Sequence, residues 1–178
     1  MPVATDAPTT NVAQARSRTA RVAVVRTRPG TVIEDYGRVM DLAGYRDVLS
    51  RDRDTVIELN LSWTKYFPAC SSQPWQVDGV VTKMLGDGVE PRRLIPVENK
   101  TVVTNPREGC RNNRWEPVLT RHGLTFTPLT EVEWQVYPFK SPLLKLNDIF
   151  PEGFTSPRSI PAGRSSISRR SKPTAMRS

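Results

Sequence analysis

The chain has 178 residues, of which 37% are apolar and 25% charged, with a formal net charge of +8 and two cysteines. This length can bury the core of one ordinary domain, whereas two cysteines exclude a disulfide scaffold and a four-cysteine metal cluster. The sequence has no run of eighteen apolar residues and no signal-peptide core, so we expect a cytoplasmic protein with no membrane segment.

The excess of positive charge lies at the two ends of the sequence. Residues 154–178 contain six basic residues and no acidic one, whereas residues 22–153 contain seventeen of each sign. Basic tails can bind nucleic acid through its phosphates. Association with nucleic acid through the tails is therefore an alternative function for this chain.

Residues 1–20 lack periodicity and are predicted to form a disordered leader. The next run, Arg-Val-Ala-Val-Val-Arg-Thr at 21–27, is typical of a buried strand, and Arg-Pro-Gly after it indicates a turn. Apolar residues at helical spacing then predict a helix over 31–48. Further along the chain, the same reasoning predicts strands at 55–61, 93–97, 124–129 and 132–137, and helices at 74–85 and 114–122.

Strands that alternate with helices predict an α/β domain over 21–153, with an open, largely parallel sheet that is incomplete at its C-terminal side. In such sheets the carboxyl ends of the strands meet at one edge, where ligands bind. We expect the loops 27–30, 62–73 and 98–112 to converge there. The candidate ligand-binding residues that they would bring together are Asn60, Thr64, Lys65, Cys70, Glu98, Asn99 and Lys100, with Cys110 nearby.

The loop after the second predicted strand carries an unusual set of aromatic side chains. Trp63, Tyr66, Phe67 and Trp75 lie in it or beside it. They either form the wall of a binding site or cap the core. Lys65, among them, either holds a substrate carboxylate or phosphate or is solvated.

The remaining reactive side chains do not define a reaction. Cys70 as a nucleophile needs a base, and His122, the single histidine, is predicted at a helix end where a capping role is commoner. Cys70, Cys110 and His122 have no metal-site spacing, so no metal ligand is assigned. Glu98 is either a general base or metal ligand, or a surface carboxylate.

Several segments resemble the domain of unknown function 362 family: Asn-Leu-Ser-Trp at 60–63, the loop 68–75, Val-Asp-Gly-Val-Val at 77–81, Gly88, and Val-Glu-Asn-Lys at 97–100. The resemblance covers residues 21–153 and implies an α/β protein of unsettled biochemistry. Some members of that family carry cysteine-rich segments for iron-sulfur clusters, which the two cysteines here do not support. Members commonly have a lysine where this chain has Glu58.

The family pattern continues into a Pro-Thr-Val-Lys-Thr-His segment that this chain lacks. Residues 154–178 are instead predicted to form a disordered basic tail. Codons for residues 156–177 can be chosen so that a frame shifted by one nucleotide encodes the expected segment. We therefore expect a frameshift near Thr155 that truncates a longer protein.

These observations predict a small-molecule or metal-centre site at the carboxyl edge of the sheet. Because a sheet cut short exposes an unpaired edge, we expect the chain to be inactive or poorly folded. A third alternative, an interaction module, would have a partner over the sheet edge. The substrate and the reaction stay unassigned.

Overall fold

The computed structural model describes residues 20–140, 144–158 and 165–168, and confirms an open α/β fold. A parallel sheet with helices packed on it forms the main body, and a two-stranded antiparallel sheet follows it. In chain order the elements are α1 (Val32–Ala43), β1 (Thr55–Glu58), α2 (Pro74–Gly86), β2 (Leu94–Glu98), α3 (Pro106–Asn112), α4 (Trp115–Arg121), β3 (Thr127–Pro128), β4 (Trp134–Tyr137), α5 (Leu146–Ile149), β5 (Phe154–Pro157) and β6 (Ser165–Ser168).

The parallel sheet has the strand order β3-β2-β1-β6. Thr55 pairs with Leu94 and Glu58 with Val97, so β1 and β2 end at the same level. The other edge of β1 pairs in parallel with β6, from Thr55 opposite Ser165 onward. The first three residues of β1 are buried, as expected for a strand covered on both faces.

The core lies between the sheet, α2 and α4. It contains a fully buried Trp115 from α4 and the apolar face of α2, including Val81 and Met84. The chain after β1 adds Leu59 and Leu61, which are also buried. The strand therefore continues into the core as an extended segment before the long loop begins.

The helices α1 and α2 cross closely at Gly79. A Cβ atom at this position would lie 2.5 Å from Cβ of Tyr36 and 3.1 Å from the carbonyl oxygen of Ile33. A second glycine, Gly37, lies against the side chain of Lys83. Small residues on both helices thus allow this close packing.

Some sequence predictions differ from the structure. The run 21–27 forms no strand, and its Val22 and Val24 side chains are 83% and 86% exposed. The edge of β1 that such a strand would occupy is taken by β6. In addition, the predicted loop 98–112 contains α3, which begins where the Oδ1 atom of Asn105 accepts a hydrogen bond from the backbone N–H of Glu108.

The range 154–178, predicted as a disordered tail, contains two strands. β5 pairs antiparallel with β4, and β6 joins the main sheet. The residues of β5 and β6 are therefore paired as strands and not disordered as predicted. The leader 1–19 lies outside the described residues, as do 159–164 and 169–178 of the tail. Within the part of the chain that the structure describes, no helix is long and apolar enough to cross a membrane.

Candidate functional site at the carboxyl edge of the sheet

Glu98 is the last residue of β2 and joins the two loops at the carboxyl edge. Its side chain is buried, with 3% exposed. Its Oε2 atom accepts a hydrogen bond of 2.8 Å from the backbone N–H of Leu61, and its Oε1 atom accepts one of 2.9 Å from that of Asn99. Glu98 therefore organises the backbone of both loops and does not face solvent as a base.

Asn60 closes the first loop, which runs from Ser62 to Gln73. Its side-chain amide donates to the carbonyl oxygen of Cys70 at 3.0 Å and to the hydroxyl of Ser62 at 3.2 Å. Its backbone N–H donates to the hydroxyl of Ser72 at 3.0 Å. The beginning and the end of the loop are thereby held together.

Thr64 ties the first loop to the second. Its hydroxyl oxygen accepts from the backbone N–H of Asn105 at 2.8 Å, and its carbonyl oxygen accepts from the side chain of Asn112 at 2.9 Å. These bonds connect the loop after β1 to both ends of α3. The two loops thus form one surface.

The end of the first loop is anchored in the core. The indole N–H of the buried Trp115 donates to the carbonyl oxygen of Ser72 at 2.7 Å. Ser71, Ser72 and Gln73 are 5–6% exposed. Upstream, Ala69 has a φ of 61°, in the left-handed region that favours glycine. This anchored loop therefore has a fixed, partly strained conformation.

Three aromatic side chains of this loop, together with Trp75 in the first turn of α2, lie on the surface. Trp63, Tyr66, Phe67 and Trp75 are each between 44% and 49% exposed. The rings of Trp63 and Phe67 meet edge to face, with centroids 6.3 Å apart. Val102 and Val103 of the second loop add further exposed apolar groups. We call these six side chains the aromatic rim.

Two lysines accompany the aromatic rim. Lys65 lies between Trp63 and Tyr66 in the chain, and Lys100 follows Asn99 in the second loop; both are exposed. Among the residues that the structure describes, no carboxylate lies within ion-pair distance of either one. The rim thus combines exposed apolar surface with positive charge.

The other sequence candidates do not join this site as reactive groups. Cys110 is buried, which raises the pKa of its thiol to about 11. His122 forms a 2.7 Å contact with Asp78, which links α4 to α2. Loop 27–30 does not join this edge, because the run 21–27 before it forms no strand of the sheet. No group of three or more His, Cys, Asp or Glu side chains within 20–140 and 144–158 could hold a metal ion.

Sequence reasoning missed the residues that brace the loops. Ser71, Ser72, Asn105 and Asn112 all make the hydrogen bonds described above. The dipeptide Asn-Pro at 105–106 is a helix-start signal that identifies one of them. The serines carry no such signal.

Comparisons with protein-family models, with curated proteins and with solved structures found no match to this chain.

Proposed function

We propose that this chain binds a small molecule at the carboxyl edge of its sheet, and that the ligand combines a flat apolar part with an anionic group. The observation that carries the proposal is the aromatic rim with Lys65 and Lys100 on two mutually braced loops. Exposed aromatic rings offer stacking surfaces, and lysines attract a carboxylate or phosphate.

The arrangement favours a small molecule over a metal centre. Both carboxylate oxygens of Glu98 accept backbone hydrogen bonds, and Cys110 is buried. Asn60 and Thr64 serve the loop structure in the same way. The exposed groups at this edge that can meet a ligand include the lysines, the Cys70 thiol, the side chain of Asn99 and the aromatic rings.

Calorimetric titration with three probes tests this proposal. 1-Naphthyl phosphate has both features, whereas glycerol phosphate has only the anion and 1-naphthol only the ring. We expect the first probe to bind most tightly, and Lys65→Gln or Lys100→Gln to weaken it about threefold to fivefold, the size of an exposed ion pair.

Trp63→Leu should weaken both naphthyl probes about fivefold or more, because each loses a stacking surface. Lys145→Gln, an exposed lysine paired with Asp148 away from the rim, is the matched control and should change nothing. Equal binding of all three probes, or equal effects of Lys145→Gln and Lys65→Gln, would contradict the proposal.

We also propose that residues 21–153 correspond to the amino-terminal part of a protein of the domain of unknown function 362 type, with a frame change near Thr155. The resemblance of 60–63 and 97–100, which adjoin the rim, supports this. The free cysteines Cys70 and Cys110 support a cytoplasmic location. Resequencing the gene from independent isolates tests the frame: an intact frame to Ser178 would contradict it.

Nucleic-acid binding is a second candidate function, favoured by the six basic residues in 154–178. It predicts an affinity for DNA that falls steeply with salt and is lost when those residues are replaced by neutral ones. The rim variants should leave that affinity unchanged.

A further inference from the structure

The edge of β1 that faces away from β2 is occupied by an atypical strand. β6 pairs there over the whole of β1, although its sequence is Ser-Ser-Ile-Ser. β6 is an edge strand of this sheet. Strands of parallel sheets are usually rich in Val, Ile and Leu, because helices cover both faces of the sheet. The run 21–27 has that composition, yet it lies outside the sheet with Val22 and Val24 exposed.

The helix layer identifies the strand position that belongs to α1. Helix α1 packs on α2 at Gly79, and α2 is joined to the end of α4 through Asp78 and His122. The helices therefore lie side by side in the order α1, α2, α4. The strands beneath advance in the same direction, from β1 to β2 to β3.

Parallel strands are connected by right-handed crossovers in nearly all known cases. Since β1-α2-β2 advances in one direction, a strand that precedes α1 must lie beside β1 on the side away from β2. This is the position that β6 occupies. The run 21–27 and β6 therefore compete for the same position at the edge of β1.

The run 21–27 is already close to α1. Its Ala23, Val24, Val25 and Thr27 line a cavity of about 260 Å³ together with Asp35, Tyr36 and Val39 of the helix. Residues 28–31 then connect it to α1, a usual length for a strand-to-helix loop. The segment thus has the composition, the connection and the neighbourhood of an edge strand.

We propose that the edge of β1 is a docking site for residues 21–27 of the same chain, and that these residues and β6 exclude each other from it. When β6 leaves the edge, the amino-terminal run adds to the sheet as a parallel strand. When β6 is paired, the run is displaced onto the surface with Val22 and Val24 in water. The two ends of the chain are thereby coupled through one strand.

Hydrogen–deuterium exchange on the full-length chain tests this exclusion. The double variant Ser166→Pro with Ile167→Pro removes two backbone N–H donors from β6. We expect exchange of the amides of residues 22–26 to slow by at least about tenfold relative to wild type, while residues 55–58 stay protected. Ala175→Pro, which lies after β6, is the control and should leave both regions as in wild type.

A second variant tests the opposite direction and does not disrupt the sheet. Ala23→Val strengthens the strand propensity of the amino-terminal run and should speed exchange at 165–168. The proposal is overturned if residues 22–26 stay unprotected in the proline variant, or if they are protected in wild type while β6 is also protected. It is equally overturned if Ala23→Val leaves exchange at 165–168 unchanged.

Discussion

The Oε2 atom of Glu98 accepts a hydrogen bond of 2.8 Å from the backbone N–H of Leu61, 37 residues earlier in the chain. Through this bond and its partner from Asn99, a side chain at the end of β2 fixes the backbone at the start of the loop after β1. The aromatic rim depends on that loop having one conformation. Glu98 is therefore a structural acid, whereas the sequence alone leaves open a general base or metal ligand and a surface carboxylate.

Replacing Glu98 with Gln should destabilise the protein by about 2 kcal/mol. The amide has one oxygen to offer the N–H donors of Leu61 and Asn99, which are buried and part-buried, so that one donor loses its partner. Glu58→Gln is the matched control, since Glu58 is also the last residue of its strand but is exposed. Urea unfolding of both variants measures the difference. Equal losses in the two would show that the Glu98 bridge contributes nothing.

Gly79→Ala should destabilise the contact between α1 and α2 by about 2 kcal/mol or more. The added methyl would lie 2.5 Å from Cβ of Tyr36, so the helices must separate. Gly86→Ala, in the last turn of the same helix, meets nothing within 4 Å. It should be neutral or slightly stabilising through helix propensity. Thermal unfolding of the pair gives the comparison, and a stable Gly79→Ala protein would refute the close crossing.

Asp78 should make stability depend on pH in the acid range. Burial raises the pKa of its carboxyl, but hydrogen bonds from His122 and Arg121 outweigh burial and hold that pKa below its ordinary value of 3.8. A lowered pKa contributes stability above the unfolded-state pKa, and this contribution is lost as pH falls through the folded-state value.

Asp78→Asn should therefore lose about 1 to 3 kcal/mol at pH 7 and show a flatter stability curve than wild type as pH falls below about 4. Asp148→Asn, which removes an exposed ion pair with Lys145, serves as the control. Urea midpoints measured from pH 7 to pH 2.5 test this. Parallel curves for wild type and Asp78→Asn would contradict it.

Tyr45 should make stability depend on pH in the alkaline range. Burial, then its hydrogen bond to Asp87, raises the pKa of the phenol well above its usual 10.0. A raised pKa contributes stability below the unfolded-state value, and this is lost as pH rises through the folded-state value. Tyr45→Phe should thus be about 1 kcal/mol less stable at pH 8, yet fall less steeply between pH 9 and pH 11. Tyr137→Phe, on the small antiparallel sheet, is the comparison, and identical alkaline slopes would refute the assignment.

The sequence correctly predicts the helices and strands whose own residues show a clear apolar pattern. The β-branched start of β1 and the apolar spacing of α2, with Pro74 in its first turn, lead directly to the observed elements. Parallel strands that end at one level also bring Asn60 and Glu98 to one edge, as predicted. These inferences need only the local periodicity of apolar residues and the rule that the carboxyl ends of parallel strands lie at one edge of the sheet.

The wrong predictions concern features that the local sequence pattern does not determine, such as which segment pairs with a strand edge. The run 21–27 has the composition of a strand, but a strand forms only where an edge is free, and β6 holds that edge. In the same way, an acid at a strand end can face solvent or turn inward. Glu98 turns inward because the N–H groups of Leu61 and Asn99 need an acceptor there, and that need depends on the folded loops.

We propose that the aromatic rim and its two lysines form one ligand site. Titration of ¹⁵N-labelled protein with 1-naphthyl phosphate, followed by amide chemical shifts, locates where this ligand binds. We predict that the shifted amides cluster in residues 62–75 and 99–105, and that Lys65→Gln reduces the shifts in both loops together. Shifts concentrated on α1 and the outer face of α2, or shifts in one loop alone, would show that the rim is not one ligand site.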